Sequence, residues 1–164
     1  MVTHNPLLTV VVPCYNEEEV LPETIKQLSS CLDNLVEDRL IHEDSKILFV
    51  DDGSKDRTWS IIATESIRNR FVTGIKLTCN VGHQNALLAG YLKAKEKCDC
   101  AISIDCDLQD DITVIRTFVE KYLQGYEIVY GVRDSRETDT WFKRTTAQSF
   151  YRLIKRLGIH LVYI

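Results

Sequence analysis

The chain has 164 residues, 45% hydrophobic and 27% charged, enough for one domain with a sizeable core. Its net charge of −4 disfavours nucleic acid as a partner, and no run of about 18 or more apolar residues is present to span a bilayer. The start, Met1 to Pro6, lacks the basic and apolar regions of a signal peptide, so a cytoplasmic domain with six reduced cysteines is expected.

Leu8 to Val12 is an apolar run of strand length that leads into Pro13-Cys14-Tyr15-Asn16-Glu17-Glu18-Glu19, an aromatic ring, an amide and acids at a strand end. Val20, Leu21, Ile25, Leu28, Leu32 and Leu35 follow at helical spacing. A second run, Ile47 to Val50, enters Asp51-Asp52-Gly53-Ser54-Lys55-Asp56-Arg57-Thr58. There Gly53 allows a tight turn, and Ser54 or Asp56 can cap the helix that begins near Thr58. An ordinary strand-to-helix turn needs only one polar residue and a glycine, so the second carboxylate is surplus to that need. Lys55 and Arg57 read as solvated turn charges.

Trp59, Ile62, Ala63 and Ile67 mark the second helix, and Gly74 to Leu77 the third strand. Ala86, Leu87, Gly90 and Tyr91 mark the third helix; His83, just ahead of it, reads as a capping or packing residue rather than a base. Cys100 to Ile104 forms the fourth run and emerges into Asp105-Cys106-Asp107-Leu108-Gln109-Asp110-Asp111. In an extended segment side chains alternate, so Asp105, Asp107 and Gln109 share one face while Cys106 and Leu108 take the other. Three hard oxygen ligands then converge, a set that suits Mg²⁺ or Mn²⁺ and leaves positions for a substrate diphosphate. An Asp-x-Asp at a strand end also serves as a solvated turn or a helix cap. Cys98-Asp99-Cys100 lacks the paired spacing of a zinc site.

Ile112, Ile115, Phe118, Val119 and Tyr122 mark the fourth helix, and Ile128 to Val132 a fifth strand. Strand and helix alternate throughout, which predicts right-handed crossovers and a mostly parallel sheet sandwiched by helices. In such sheets ligands bind beyond the carboxyl ends of the strands, where all three acidic clusters lie. Residues 1 to 132 carry 13 basic and 21 acidic side chains, whereas residues 133 to 164 carry 7 and 3. Over Trp141 to Leu157, Phe142, Thr146, Phe150, Leu153 and Leu157 form one helical stripe and Arg144, Gln148, Arg152 and Arg156 another. Such a helix packs on its own domain or lies on an anionic membrane surface. The expected division is 1–140 for the main domain and 141–164 for this amphipathic basic segment and the apolar end.

Val12-Pro13-Cys14-Tyr15-Asn16-Glu17-Glu18, Val50 to Thr58, Asn80-Val81-Gly82-His83-Gln84-Asn85-Ala86 and Asp105-Cys106-Asp107-Leu108-Gln109-Asp110 together resemble the family-two glycosyltransferases. The Asn-x-Gly-His-Gln run, the Asp-Leu-Gln-Asp run and Gly131-Val132-Arg133 through Trp141-Phe142-Lys143-Arg144 are similar to the polyisoprenyl-phosphate glycosyltransferases, which include bactoprenol glucosyltransferases and dolichyl-phosphate mannose synthases. The resemblance covers the chain to about Leu157 and rests on four motifs in one order. It implies an α/β, GT-A-like (Rossmann-like) fold, incomplete at the C-terminus. By the same resemblance Pro13, Tyr15, Asn16 and Glu17 with Asp51 and Asp52 would hold the base and ribose of a nucleotide sugar, a UDP-sugar favoured over GDP-mannose. Asp105, Asp107 and Gln109 would hold Mg²⁺ or Mn²⁺ on its diphosphate. Arg133, Lys143 and Arg144 would neutralise donor and acceptor phosphates, with Asp105, Asp107 and Arg133 carrying catalysis.

Three departures stand out. Asp111-Ile112-Thr113 replaces the usual Pro-Pro-Glu, and Cys106 replaces a small apolar residue but points away from the ligand face. Members of the family also continue past this point into an acceptor-side half and, commonly, membrane helices, so the apolar end at Gly158 to Ile164 looks truncated. The implied reaction is metal-dependent, inverting transfer of a hexose, glucose favoured, to a polyisoprenyl phosphate in cell-envelope glycan synthesis at the cytoplasmic face of the membrane. The acceptor oxygen is already anionic, so no strong general base is required. Another acceptor, saccharide or protein, stays open, as does self-association. Two rival classes are a nucleotidyltransferase, against which the glycine-free first turn counts, and a non-catalytic nucleotide-sugar binder.

Overall fold

In the computed structural model, which describes residues 5–109, 111–131 and 161–163, the apolar run Leu8–Cys14 forms β1 with all seven residues buried. A strand apolar on both faces belongs at the centre of a covered sheet, and β1 is there. The elements follow in order: α1 (Leu21–Glu37), β2 (Lys46–Asp51), α2 (Thr58–Arg68), β3 (Val72–Lys76), α3 (His83–Ala94), β4 (Cys100–Ser103), α4 (Val114–Leu123), β5 (Ile128–Tyr130) and β6 (Leu161–Tyr163). Four strands make one sheet in the order β3-β2-β1-β4, each pair parallel. The chain therefore builds outward from β1 to β3, then crosses back to place β4 on the other side of β1. That reversal opens a crevice between the carboxyl ends of β1 and β4, the usual ligand position in such sheets.

Side-chain pattern decides which face each helix covers. The i, i+4, i+7 spacing of Leu21, Ile25, Leu28, Leu32 and Leu35 buries one stripe of α1, with Pro22 in its first turn where a missing N–H costs nothing. In α3 the stripe is instead small: Ala86, Gly90 and Ala94 are buried, packed with Val11, Leu48 and Val50. A Cβ added at Gly90 would stand 2.3 Å from Val11 Cγ1 and 3.0 Å from Val50 Cγ2, so this helix rests almost on the sheet. Leu48 pairs with Thr73 and Phe49 with Gly74, so Gly74 points to the face opposite α3. There Gly74 meets Ile62 and Trp59 of α2. Helices thus cover both faces, as expected. Ile67 departs from the expected core stripe of α2 and is 87% exposed.

Contacts divide the chain into two units, one spanning Val2–Val119 and holding the four-stranded sheet, the other comprising Met1 and Glu120–Ile164. In the second, a turn through Gly125 at φ +96° follows α4, and β5 pairs in parallel with β6, Ile128 opposite Leu161 and Tyr130 opposite Tyr163. The fifth strand expected from the sequence is present, but in a two-stranded sheet of its own with a partner that the sequence reading did not anticipate. The basic helix expected over Trp141 to Leu157 and the boundary after residue 140 lie outside the described residues.

Candidate functional site

β1 ends with Cys14 opposite Asp51 of β2. Val11 lies opposite Ser103, and continuing that register sets Cys14 level with Cys106 beyond the end of β4. Both cysteines are buried, and the hydrogen bond with Cys106, then burial, push the Cys14 thiol well above its ordinary range. Behind the site, therefore, sit two buried cysteines side by side. Thr24 of α1 donates a 2.7 Å hydrogen bond to the Cys106 carbonyl, tying the loop after β4 to the helix after β1.

The loops after β1 and β2 are joined into one rim. Asn16, at φ +56°, donates its backbone N–H to Ser54 Oγ at 3.0 Å and accepts the Lys55 N–H on Oδ1 at 2.9 Å. Glu17 N–H donates to Thr58 Oγ1 at 2.8 Å and Glu18 N–H to Asp56 Oδ2 at 3.1 Å. Asp56 Oδ1 in turn accepts the Thr58 N–H at 2.9 Å, the helix-start role expected of it. Arg57 contacts Glu18 at 3.1 Å while its side chain stays 81% exposed, so it is a rim charge with one partner. With its backbone spent on this rim, the loop presents Tyr15 outward, its ring 41% exposed.

Asp51 and Asp52 are neighbours with different duties. Successive strand residues point to opposite faces, and the two carboxylates separate accordingly. Asp51 is fully buried: Oδ1 accepts the Ser54 N–H at 3.1 Å, while Oδ2 has no hydrogen-bond partner. Among the described residues, Lys76 Nζ pairs with it at 3.9 Å and lies 5.9 Å from the Trp59 ring. An unpartnered buried carboxylate oxygen costs free energy that a ligand donor would recover. Asp52 has no spare oxygen: Oδ1 accepts the Val81 N–H at 2.7 Å and Oδ2 the Gly82 N–H at 3.0 Å. Gly53, between Asp52 and the rim, needs its glycine twice. Its φ is +69°, and an added Cβ would come within 2.5 Å of the Cys79 carbonyl carbon.

Beyond β4, exposure alternates as the sequence predicts: Ser103, Asp105, Asp107 and Gln109 outward, Ile104 and Cys106 inward. The backbone nevertheless leaves the strand after Ser103 and turns at Leu108, φ +56°, with Asp107 Oδ1 accepting the Gln109 N–H at 3.1 Å. Asp105 Oδ1 lies 3.6 Å from His83 Nε2, each side chain about half exposed. Asp107 acts on Glu17: burial first, then the Asp107 and Asp56 charges, hold the Glu17 carboxyl above its ordinary range. Negative charge is thus concentrated between the ends of β1 and β4, which is what a cation would relieve. Among the described residues no three His, Cys, Asp or Glu side chains gather closely enough to hold a metal alone. Mg²⁺ commonly takes only one or two carboxylates and completes its shell with water and substrate phosphates, so the exposed Asp105 and Asp107 fit that mode.

Of the residues singled out from the sequence, Pro13, Tyr15, Asn16, Glu17, Asp51, Asp52, Asp105, Asp107 and Gln109 all fall at the carboxyl edge of the sheet. Arg133, Lys143 and Arg144 lie outside the described residues. His83 needs correction: it is the first residue of α3, it makes no side-chain cap, and it stands beside Asp105 rather than in the core. Ser54 and Thr58, which pin the first loop, were legible only as turn and helix-start residues, because their partners lie 38 and 41 positions away.

A family model described as "Glycosyl transferase family 2" matches residues 9–163. The chain is 70% identical over 158 residues to the uncharacterized glycosyltransferase YkoT of Bacillus subtilis (strain 168), covering 96% of this chain and 47% of that protein. It is 37% identical over 154 residues to the bactoprenol glucosyl transferase of Shigella phage SfV, covering 92% of this chain and 47% of the other. It spans about half the length of these curated relatives. Among solved structures, the mannosyltransferase PcManGT from Pyrobaculum calidifontis, in complex with GDP-Man and Mn²⁺, superposes with a TM-score of 0.59 at 26% identity, over 82% of this chain and 38% of that one. The S. aureus TarS 1–349 complex with UDP-GlcNAc gives 0.55 at 18% identity, over 83% and 38%, a likeness of fold. The parallel four-stranded sheet with its helices is accordingly GT-A-like.

Proposed function

The chain belongs to glycosyl transferase family 2, and we propose that it is the donor-binding part of an enzyme that moves a hexose from a nucleotide sugar to a polyisoprenyl phosphate. The observation that carries this reading is the convergence of three strand ends on the β1–β4 crevice: an exposed tyrosine, a buried carboxylate oxygen without a hydrogen bond, and a pair of exposed aspartates. Tyr15 would stack on a base, and Asp51 Oδ2 would accept from it. Asp51 is preferred to Asp52 here because Asp51 Oδ2 has no hydrogen bond, whereas each Asp52 oxygen already accepts one. Pro13, Asn16 and Glu17 would shape the same pocket.

Asp105 and Asp107, with Gln109, would hold Mg²⁺ or Mn²⁺, which supplies charge neutralisation for the departing nucleoside diphosphate. The acceptor phosphate oxygen attacks the anomeric carbon from the face opposite the diphosphate. The new carbon–oxygen bond forms as the old one breaks, its electron pair leaves with the nucleoside diphosphate, and configuration inverts. No side chain has to remove a proton from an acceptor that is already ionised. Glucose as the sugar and UDP as its carrier are favoured by the likeness to bactoprenol glucosyl transferases. GDP-mannose is the alternative suggested by the mannosyltransferase structure. Arg133, Lys143 and Arg144 are proposed for the phosphates from the sequence resemblance alone. No described helix is long and apolar enough to cross a membrane. The basic segment over Trp141 to Leu157 is proposed, from the sequence alone, for contact with an anionic lipid surface.

Isothermal titration of UDP-glucose, UDP-GlcNAc and GDP-mannose, each with and without Mn²⁺, tests the reading. Tightest binding of UDP-glucose, strengthened by Mn²⁺, is the expected result. Absence of binding by all three would overturn it.

A further inference from the structure

We propose that Asp52 is a positioning residue and not a nucleotide ligand: it fixes the start of α3 and thereby sets His83 against Asp105. The inference concerns the same site as the nucleotide-sugar reading and rests on it only where the metal enters.

Asp52 is 3% exposed, and its two oxygens are committed separately, one to the Val81 N–H at 2.7 Å and the other to the Gly82 N–H at 3.0 Å. Its backbone is held as well, the N–H donating to the Cys14 carbonyl at 2.9 Å in continuation of the β1–β2 ladder. The carboxylate is therefore anchored to the sheet at one end and grips a loop at the other. That loop is the entry to α3. Gly82, at φ +89° and ψ 151°, accepts the Asn85 and Ala86 N–H groups on its carbonyl, each at 3.0 Å, and the next residue is His83. Small residues, Ala86, Gly90 and Ala94, set how close α3 lies to the sheet, and the Asp52 clamp holds the loop that enters it.

The consequence appears two strands away. His83 Nε2 lies 3.6 Å from Asp105 Oδ1, within ion-pair reach, so Asp52 at the end of β2 acts on Asp105 at the end of β4 through one turn of backbone and one ring. β1 lies between them and enters only through the Cys14 carbonyl that holds the Asp52 N–H. A ligand replacing the two backbone donors would have to release the loop that carries His83, and those charge-assisted bonds are the stronger kind. Groups that orient a metal-binding side chain without touching the metal are a recurrent feature of metal sites.

The test uses Asp52→Asn beside Asp51→Asn, with two readouts. The first is the imidazole ¹⁵N signal of His83, assigned through His83→Gln and recorded without metal. The second is calorimetry with uridine alone and with UDP plus Mn²⁺. Expected for Asp52→Asn are a moved His83 signal, unchanged uridine affinity, and a Mn²⁺-dependent gain in UDP affinity reduced by about tenfold or more. Asp51→Asn should leave the His83 signal in place. A His83 signal unmoved in Asp52→Asn, or a comparable loss of uridine affinity there, overturns the proposal. If Asp52→Asn fails to fold, Gly82→Ala reaches the same loop from the other side. An added Cβ there meets nothing within 4 Å, so only the positive φ is penalised. It must move the His83 signal, or the proposal falls. Failure of the parent chain to bind uridine or UDP would instead refute the nucleotide reading, while the metal-free His83 signal still decides the role of Asp52.

Discussion

Glu17 at the end of β1 sits within electrostatic reach of Asp107 beyond β4: its own burial first, and then that neighbouring charge, hold the Glu17 carboxyl above its ordinary range. A raised carboxylate pKa means that the folded state binds a proton more readily than the unfolded chain. Stability is then lost as pH rises from the unfolded value of about 4.3 through the higher folded one. Glu17→Gln removes that loss. Urea denaturation should find the variant more stable than the parent at pH 7, by no more than about 1 kcal/mol for a group still partly open to solvent. The difference should shrink as pH falls below the unfolded value, where the carboxyl is protonated in both states. Mn²⁺ should stabilise the parent more than the variant. A variant less stable at pH 7 would show that ionised Glu17 supports the fold.

Asp51 makes a separate prediction. Its buried Oδ2 lacks a hydrogen-bond partner, so a base or ribose donor placed there forms a hydrogen bond to a charged group, which contributes about 1.5–3 kcal/mol. Asp51→Ala should weaken uridine binding by that amount with no metal present, as read by calorimetry. Equal affinity for uridine in parent and variant would make Asp51 a turn residue that serves only Ser54.

The contrast between the two aspartates shows how far the sequence carries. Period-two alternation was enough to place Asp105, Asp107 and Gln109 outward and Cys106 inward, and helical spacing found the buried stripe of α1, though Val20 ahead of it is exposed, and Ala86 and Gly90 of α3, though not Ala94. The same alternation sends Asp51 and Asp52 to opposite faces, yet their adjacency in a recognisable motif invites one shared role. What separates them is the company they keep, Val81 and Gly82 lying 29 and 30 residues from Asp52. His83 was misread for the same reason: a histidine ahead of a helix suggests a cap until β4 is known to end beside it. The turn at Leu108 carried no signal either, since leucine rarely takes a positive φ. Strand-end chemistry is local and legible; the struts that aim it are contacts between distant segments.

Close packing of α3 gives a stability prediction independent of any ligand. Gly90→Ala places a methyl group 2.3 Å from Val11 Cγ1, nearer than real contacts allow, so the helix must lift or Val11 must leave its rotamer. Overpacking of this kind costs about 1–3 kcal/mol, against which the gain in helix propensity from glycine to alanine is about 1 kcal/mol. The net expectation is a modest loss of stability in urea denaturation. Because α3 carries His83, the Mn²⁺-dependent part of UDP binding should fall too. A variant more stable than the parent would mean that the helix moves away from the sheet at little cost.

The last prediction separates metal from nucleoside. Asp105 and Asp107 are exposed, sit outside the packed core, and make few bonds to the rest of the fold, Asp107 to the Gln109 N–H and Asp105 to His83. Replacing both with alanine should therefore leave far-UV circular dichroism and the urea midpoint almost unchanged. It also removes two negative charges from the crevice, so the repulsion that raises Glu17 should weaken. Uridine, which has no phosphate to present to a metal, should bind the double variant as it binds the parent. UDP should lose most of its response to Mn²⁺, because a hard divalent ion deprived of both carboxylates is left with the neutral Gln109 amide, water and phosphate oxygens. Titration of UDP at several Mn²⁺ concentrations reads this directly. A double variant whose UDP affinity still rises with Mn²⁺ as steeply as the parent's would remove Asp105 and Asp107 from the metal site and return them to the role of solvated turn residues.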